Sequence, residues 1–162
     1  MFETAELSDL PRIVDIYNQT IASRMVTADT EPVTVEERRS WFLGHTPERP
    51  IFVYKQDERV VGWLSFKSFY GRPAYDGTVE VAIYLCESVR GQGLGRKALN
   101  FVEAHAHTLA IENLLAFIFS HNKPSIGLFT SAGFSVWGQL PDVARMDGQL
   151  YSLTILGKSL VT

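Results

Sequence analysis

The chain has a single cysteine, Cys86, among its 162 residues. One thiol excludes a disulfide within the chain, and with it the small stapled scaffolds of secreted proteins; it fits a reducing compartment. An excess of charge is missing too. Fifteen basic against 18 acidic side chains leave a formal net charge of −3, too little positive field for a broad nucleic-acid or anionic-membrane surface. No apolar run approaches the roughly 20 residues of a spanning helix, and Phe2-Glu3-Thr4-Ala5-Glu6 is acidic where a signal peptide would be basic. There is no internal repeat, low-complexity tract or linker. His45, His105 and His107 lack neighbours at metal-ligand spacing, so no metal site is expected. What is left is the composition of an ordinary globule, 46% hydrophobic and 20% charged. It predicts one domain over residues 1–162, burying about 70% of its unfolded surface. The cytoplasm is the expected compartment, with neither nucleic acid nor membrane as partner.

The densest signal lies at residues 78–95, TVEVAIYLCESVRGQGLG. Thr78 to Leu85 reads as a strand, with Val79, Val81, Ile83 and Leu85 on one face and Thr78, Glu80, Ala82 and Tyr84 on the other. Glutamate is depleted in strands, which makes Glu80 conspicuous. Cys86-Glu87-Ser88 then leads to Arg90-Gly91-Gln92-Gly93-Leu94-Gly95, after which Leu94, Ala98, Phe101, Val102 and His105 share a helical face. Strand, glycine loop and helix start form an anion cradle: backbone N–H groups converge and the helix adds partial positive charge. Arg90, Arg96 and Lys97 supply local cations. Two common cradles fail at one residue, because Arg96 stands where both the Walker loop and the dinucleotide fingerprint need glycine. Arg-x-x-Gly-x-Gly remains.

In chain order, residues 2–6 predict a strand, and Ser8-Asp9-Leu10-Pro11 a helix start whose apolar face carries Leu10, Ile13, Tyr17, Thr20 and Ile21. Thr34-x-x-Glu37 is a capping box for a second helix bearing Trp41, Phe42 and Leu43, closed by Pro47 to Pro50. A hairpin follows, Ile51–Tyr54 and Val60–Phe69 around Gln56-Asp57-Glu58-Arg59. After the Glu80 strand come a helix over 93–110, a strand over Leu114–Phe119, a helix over Lys123–Ala132 ended by Gly133, and strands over Val136–Leu140 and Leu150–Leu156. The order β-α-α-β-β-β-α-β-α-β-β is mixed α/β, with the loop helix crossing between neighbouring parallel strands.

Arg90 to Gly95 resembles the pyrophosphate loop of the GNAT superfamily of N-acetyltransferases, Gln/Arg-x-x-Gly-x-Gly/Ala after the fourth strand. Further blocks extend the likeness over nearly the whole chain: Ile16-Tyr17-Asn18, Thr30-Glu31-Pro32-Val33-Thr34, Gly71-Arg72-Pro73-Ala74-Tyr75, Thr78-Val79-Glu80, Asn122-Lys123-Pro124-Ser125 and Ala132-Gly133-Phe134. Together they are similar to the phosphinothricin and methionine sulfoximine N-acetyltransferase branch. The resemblance implies the GNAT fold, a central mixed sheet of about seven strands flanked by about four helices. It also implies acetyl-CoA as cosubstrate, a small-molecule amine as acceptor, and a homodimer, for which Phe134 and Trp137 offer exposed aromatic surface.

An amine must lose a proton before it attacks a thioester, and a carboxylate raised by desolvation can take it. Glu80 is the candidate, upstream of the loop on the same element; the alternative is a glutamate facing solvent. The resemblance gives the glutamate of Thr-Val-Glu the same role. It places the pantetheine arm along the backbone of Ile83, Tyr84 and Leu85 as an added strand, whose N–H groups also meet the thioester oxygen. Gly91, Gln92, Gly93, Leu94, Gly95 and Arg96 take the pyrophosphate together with Arg90, and Asn122 and Ser125 contact the cofactor. Asn122 reads equally as a helix cap. Arg72 is the expected clamp for a substrate anion, or a surface arginine on a turn, with Tyr75 and Glu31 beside it.

Three positions depart from the pattern. Phe129 stands where many members carry a tyrosine acid, leaving a thiolate that needs no acid, or one protonated by water or His121. Leu150 and Ser152 stand where the branch tends to have tryptophan and aspartate, which leaves the exact amine open. Two other functions compete. Acetylation of a protein or peptide amino terminus needs an open groove, which Tyr70 to Tyr75 reads as able to close. A non-catalytic acyl-CoA sensor would leave Glu80 without purpose. Cys86 has no base beside it and reads as a small buried residue at a strand end.

Overall fold

The computed structural model describes residues 1–161. Seven strands form one sheet in the order β1-β2-β3-β4-β5-β7-β6: β1 Phe2–Thr4, β2 Ile51–Gln56, β3 Arg59–Ser68, β4 Thr78–Leu85, β5 Asn113–Phe119, β6 Ser135–Met146 and β7 Gln149–Ser159. Four helices accompany it: α1 Leu10–Gln19, α2 Val35–Leu43, α3 Leu94–Thr108 and α4 Lys123–Ser131. Only β4 and β5 run parallel, joined through α3; the other neighbours are antiparallel. The element order and the mixed sheet are those predicted. None of the described helices is long and apolar enough to cross a membrane.

Strand alternation sends successive side chains to opposite faces, and both faces are covered. On one, Phe52, Leu64, Phe66, Val79 and Val81 pack with Ala98, Leu99, Val102 and Ala106 of α3 and Phe129 of α4. On the other, Val53, Val61 and Trp63 pack with Ile13, Ile16 and Tyr17 of α1. Phe101 and His105 stack on the flank of α3, turned toward Phe52.

Several local expectations are corrected. The first strand ends at Thr4, and a 3-10 turn at Leu7–Asp9 precedes α1. Neither Ser8 nor Asp9 caps α1 with its side chain; the Asp9 carboxylate instead accepts the Glu6 N–H at 2.9 Å, in a capping box that closes the 3-10 turn. The Thr34–Glu37 box forms, with Thr34 Oγ1 accepting the Glu37 N–H at 3.1 Å, but α2 stops at Gly44, ahead of the two prolines. β6 and β7 are longer than read. The pairing runs past the expected end at Leu140, and Pro141 sits in an irregular stretch between Leu140 and Ala144 where no ladder bond is needed. Beyond it the pair closes on Asp147-Gly148, both at positive φ as a tight hairpin requires. Phe134 is not exposed: it is 4% accessible and meets Phe129 edge-on, centroids 5.1 Å apart. Trp137 remains half exposed.

Candidate active site

The ladder between β4 and β5 covers only Thr78–Glu80 against Asn113–Leu115. From Val81 onward β4 pairs with β3 alone, so the strands part and leave a wedge beside Glu80. A cleft of about 410 Å³ follows the wedge outward, lined by Ile83, Tyr84 and Leu85, by Arg90 and Gly95, and by Asn122 and Ser125. A narrower space of about 90 Å³ shares Ile83, Tyr84, Asn122 and Ser125 with it and reaches Glu80 and Ala116. A third cavity, about 140 Å³, also has Glu80 in its wall, with Tyr17, Arg38, Trp41, His45, Trp63, Ser65, Lys67 and Tyr84. Glu80 is therefore common to a long cleft system and to an aromatic, basic chamber.

Burial pushes Glu80 above the ordinary glutamate value, and the charge of Lys67, its register partner, pulls part of the way back. Burial likewise raises Tyr84, with Tyr17 and Glu80 adding to it. Tyr17 is raised by burial first and then by its hydrogen bond to Asp29. Arg38 bridges the same corner: its Nη2 donates to Asp29 at 3.0 Å and its guanidinium lies 4.8 Å from the Tyr17 ring centre.

The glycine loop has the shape its sequence demands. Gly91 and Gly93 sit at φ of 79° and 78°, a region costly to side chains with a Cβ. Gly93 directly precedes α3. Gly95 differs: a Cβ there would lie 2.7 Å from Leu128 Cδ2, where α3 meets α4, so the Leu128 side chain would have to shift. Two of the local cations bond to backbone carbonyls. Arg96 Nη1 donates to the Ser131 carbonyl at 3.0 Å, turned toward α4, and Arg90 Nη2 reaches the Leu85 carbonyl at 3.4 Å. Gln92, Arg90 and Lys97 remain exposed.

Asn122 is 9% accessible and caps α4, its Oδ1 accepting the Ser125 N–H at 3.3 Å while Nδ2 donates to the Met25 carbonyl at 3.1 Å. Both Asn122 and Ser125 line the cleft as well. His121 Nε2 lies 2.9 Å from the Arg24 carbonyl and its ring stacks on Phe119, a structural placement that ties the loop after α1 to the end of β5. Phe129 lines the cleft as an apolar wall. Cys86 is buried; its burial opposes the thiolate, but Ser88 and Arg12 together outweigh that and lower it.

Three predicted substrate residues are not brought to Glu80. Arg72, Tyr75 and Glu31 are exposed, and none lines either cavity that Glu80 shares. Leu150 and Ser152 lie on β7, also outside those cavities. The sequence alone did not single out the chamber walls: Arg38 and Trp41 from α2, His45 just beyond its end, and Trp63, Ser65 and Lys67 from β3. The available signal was the alternation Trp63, Ser65, Lys67, which becomes meaningful only once Lys67 is set opposite Glu80.

Comparison with known proteins agrees with this architecture. The model of the Acetyltransferase (GNAT) family matches residues 13–134. "Putative phosphinothricin acetyltransferase YwnH" of Bacillus subtilis is 54% identical over 157 residues, 96% of this chain and 96% of its own. The L-methionine sulfoximine/L-methionine sulfone acetyltransferase of Pseudomonas paraeruginosa is 31% identical, covering 96% of this chain and 92% of its own. Among solved structures, a GNAT superfamily phosphinothricin acetyltransferase from Sinorhizobium meliloti in complex with AcCoA aligns at TM-score 0.89 and 25% identity, over 99% of this chain and 88% of that one. The parted β4 and β5, the glycine loop opening α3 and these likenesses together establish that the chain belongs to the GNAT acetyltransferase family.

Proposed function

We propose that residues 1–162 act as one domain that moves the acetyl group of acetyl-CoA directly onto the amine of a small amino-acid-like substrate of the phosphinothricin or methionine sulfoximine type. The observation that carries this reading is the position of Glu80, half-buried where the cleft and the aromatic chamber meet. The cleft suits an extended chain. Beyond Glu80, Ile83, Tyr84 and Leu85 have no strand partner on the β5 side, so a pantetheine arm would complete the sheet there. The loop from Arg90 to Arg96 then receives the pyrophosphate at the start of α3, with Asn122 and Ser125 along the way.

In this reading the amine enters the chamber as a cation and gives a proton to the Glu80 carboxylate, whose raised value suits the task. The nitrogen lone pair attacks the thioester carbon, and the charge gathering on oxygen is met by a backbone N–H of β4. The thiolate departs without a tyrosine acid, since Phe129 has no proton to give. Arg72, Tyr75 and Glu31 are assigned to substrate recognition by resemblance, and the chamber adds Lys67 and Arg38 as cations for an anionic acceptor. A chamber of about 140 Å³ favours a small molecule over a peptide. The working form is a homodimer in the cytoplasm; exposed Val136, Trp137, Leu140, Val143 and Leu150 on the β6–β7 hairpin support the pairing.

The test is free-thiol release from acetyl-CoA against a panel of amines: phosphinothricin, methionine sulfoximine and short peptides. Turnover with the first two and not with peptides is expected. Release with peptides alone would reject the acceptor class, and binding of acetyl-CoA without release would identify a sensor.

A further inference from the structure

His45 stands between Glu80 and a second, outer space. It follows the last turn of α2, and its Nδ1 lies 2.9 Å from the Trp41 carbonyl oxygen. A carbonyl oxygen only accepts, so Nδ1 carries the hydrogen and Nε2 is left with its lone pair. The Trp41 ring meets the imidazole edge-on, centroids 5.0 Å apart, which fixes the ring plane. On one side His45 lines the chamber of about 140 Å³ together with Glu80, Ser65 and Lys67. On the other it lines a groove of about 400 Å³ walled by Phe42, Pro47, Phe52 and His105, in which Glu80 has no part. His45 is the histidine that borders both spaces.

The proposed transfer leaves a proton behind. The substrate ammonium loses its first proton to Glu80. The nitrogen lone pair then forms the N–C bond while the carbonyl π pair moves to oxygen. When that pair returns, the C–S bond breaks and sulfur leaves with its electrons; the second N–H proton goes to sulfur and gives the free thiol. The amide and the thiol are neutral at the reacting atoms, and Glu80 ends protonated. It must be emptied before the next amine arrives, with both substrate clefts refilling around it.

We infer that His45 empties it: Nε2 takes the Glu80 proton through water in the chamber and surrenders it to water in the outer groove. The inference rests on the reading of Glu80 as the base. His45 is here a relay, acting through Glu80 and not on the reacting atoms. The charged and titratable groups around it are Glu80, Lys67, Arg38, Tyr17 and Tyr84 in the chamber and His105 in the groove. Burial lowers His45 below the ordinary histidine value; the Trp41 and Phe42 carbonyls oppose this and Lys67 adds to it. A lowered value leaves the ring neutral at pH 7, ready to accept, and quick to release what it accepts.

The test uses His45→Asn, whose amide can keep the bond to the Trp41 carbonyl while Nε2 is lost. Rates with acetyl-CoA and methionine sulfoximine are measured with and without added imidazole, beside Glu80→Gln. We expect kcat to fall roughly 10- to 100-fold with both KM values within about twofold of wild type. Imidazole should restore the rate saturably in His45→Asn and leave Glu80→Gln slow. A wild-type kcat, a loss carried by KM, or a loss that imidazole leaves in place overturns the relay while the Glu80 reading stands. A Glu80→Gln enzyme as fast as wild type removes both. His45→Gln, checked by thermal melting, supplies the same comparison if the asparagine variant does not fold.

Discussion

Lys67 and Glu80 are register partners across the β3–β4 ladder, and both line the chamber of about 140 Å³. Burial drives the Glu80 carboxyl up, and the Lys67 charge restrains that rise. The pair sets a base stronger than an exposed glutamate, which is what removing a proton from an ammonium needs.

Lys67→Gln removes the restraint. The rate follows the fraction of Glu80 that is carboxylate, so the acidic limb of kcat against pH lies above the ordinary glutamate value in the wild type and should move further up in the variant. For the fold the sign reverses. Glu80 favours its protonated form, so its contribution to stability is fully present below the unfolded glutamate value and is lost as pH rises through the folded one. A limb that does not move in Lys67→Gln would separate the two residues.

Gly93→Ala tests the loop. Nothing lies within 4 Å of the added Cβ, so the cost is backbone strain at φ 78°, about 1–2 kcal/mol in thermal or urea unfolding. The KM for acetyl-CoA should rise roughly tenfold, about 1.4 kcal/mol of lost binding, with the acceptor KM unchanged. An equal rise in both would place the loop's effect elsewhere.

How much of this was legible beforehand depended on whether the information was local. β4 was readable to the residue, because the alternation from Thr78 to Leu85 and the turn residues after it are local signals. The capping box at Thr34 and the glycine loop were readable for the same reason. The chamber was not. Trp63 and Lys67 join Glu80 through strand register, and Trp41 and His45 through the docking of α2, neither of which a single stretch encodes. Phe134 was misplaced because its partner Phe129 lies across the turn that ends α4. The last two strands extend beyond Val136–Leu140 and Leu150–Leu156 to meet at Asp147-Gly148, which is a strong local turn signal.

Arg72→Ala tests the residue that resemblance assigns and the Glu80 cavities do not include. The KM for an amine carrying a carboxylate should rise more than that for the corresponding neutral amide, by roughly tenfold or about 1.4 kcal/mol. Equal effects on the two substrates would reject the clamp and leave Lys67 and Arg38 as the cations to examine.

The most direct measurement compares Glu80→Gln with wild type at neutral pH, following thiol release and, separately, acetyl-CoA binding by calorimetry. Turnover should fall roughly 100-fold or more while the dissociation constant for acetyl-CoA stays within about twofold. Undiminished turnover, or a slow enzyme explained by lost acetyl-CoA affinity, would contradict the account.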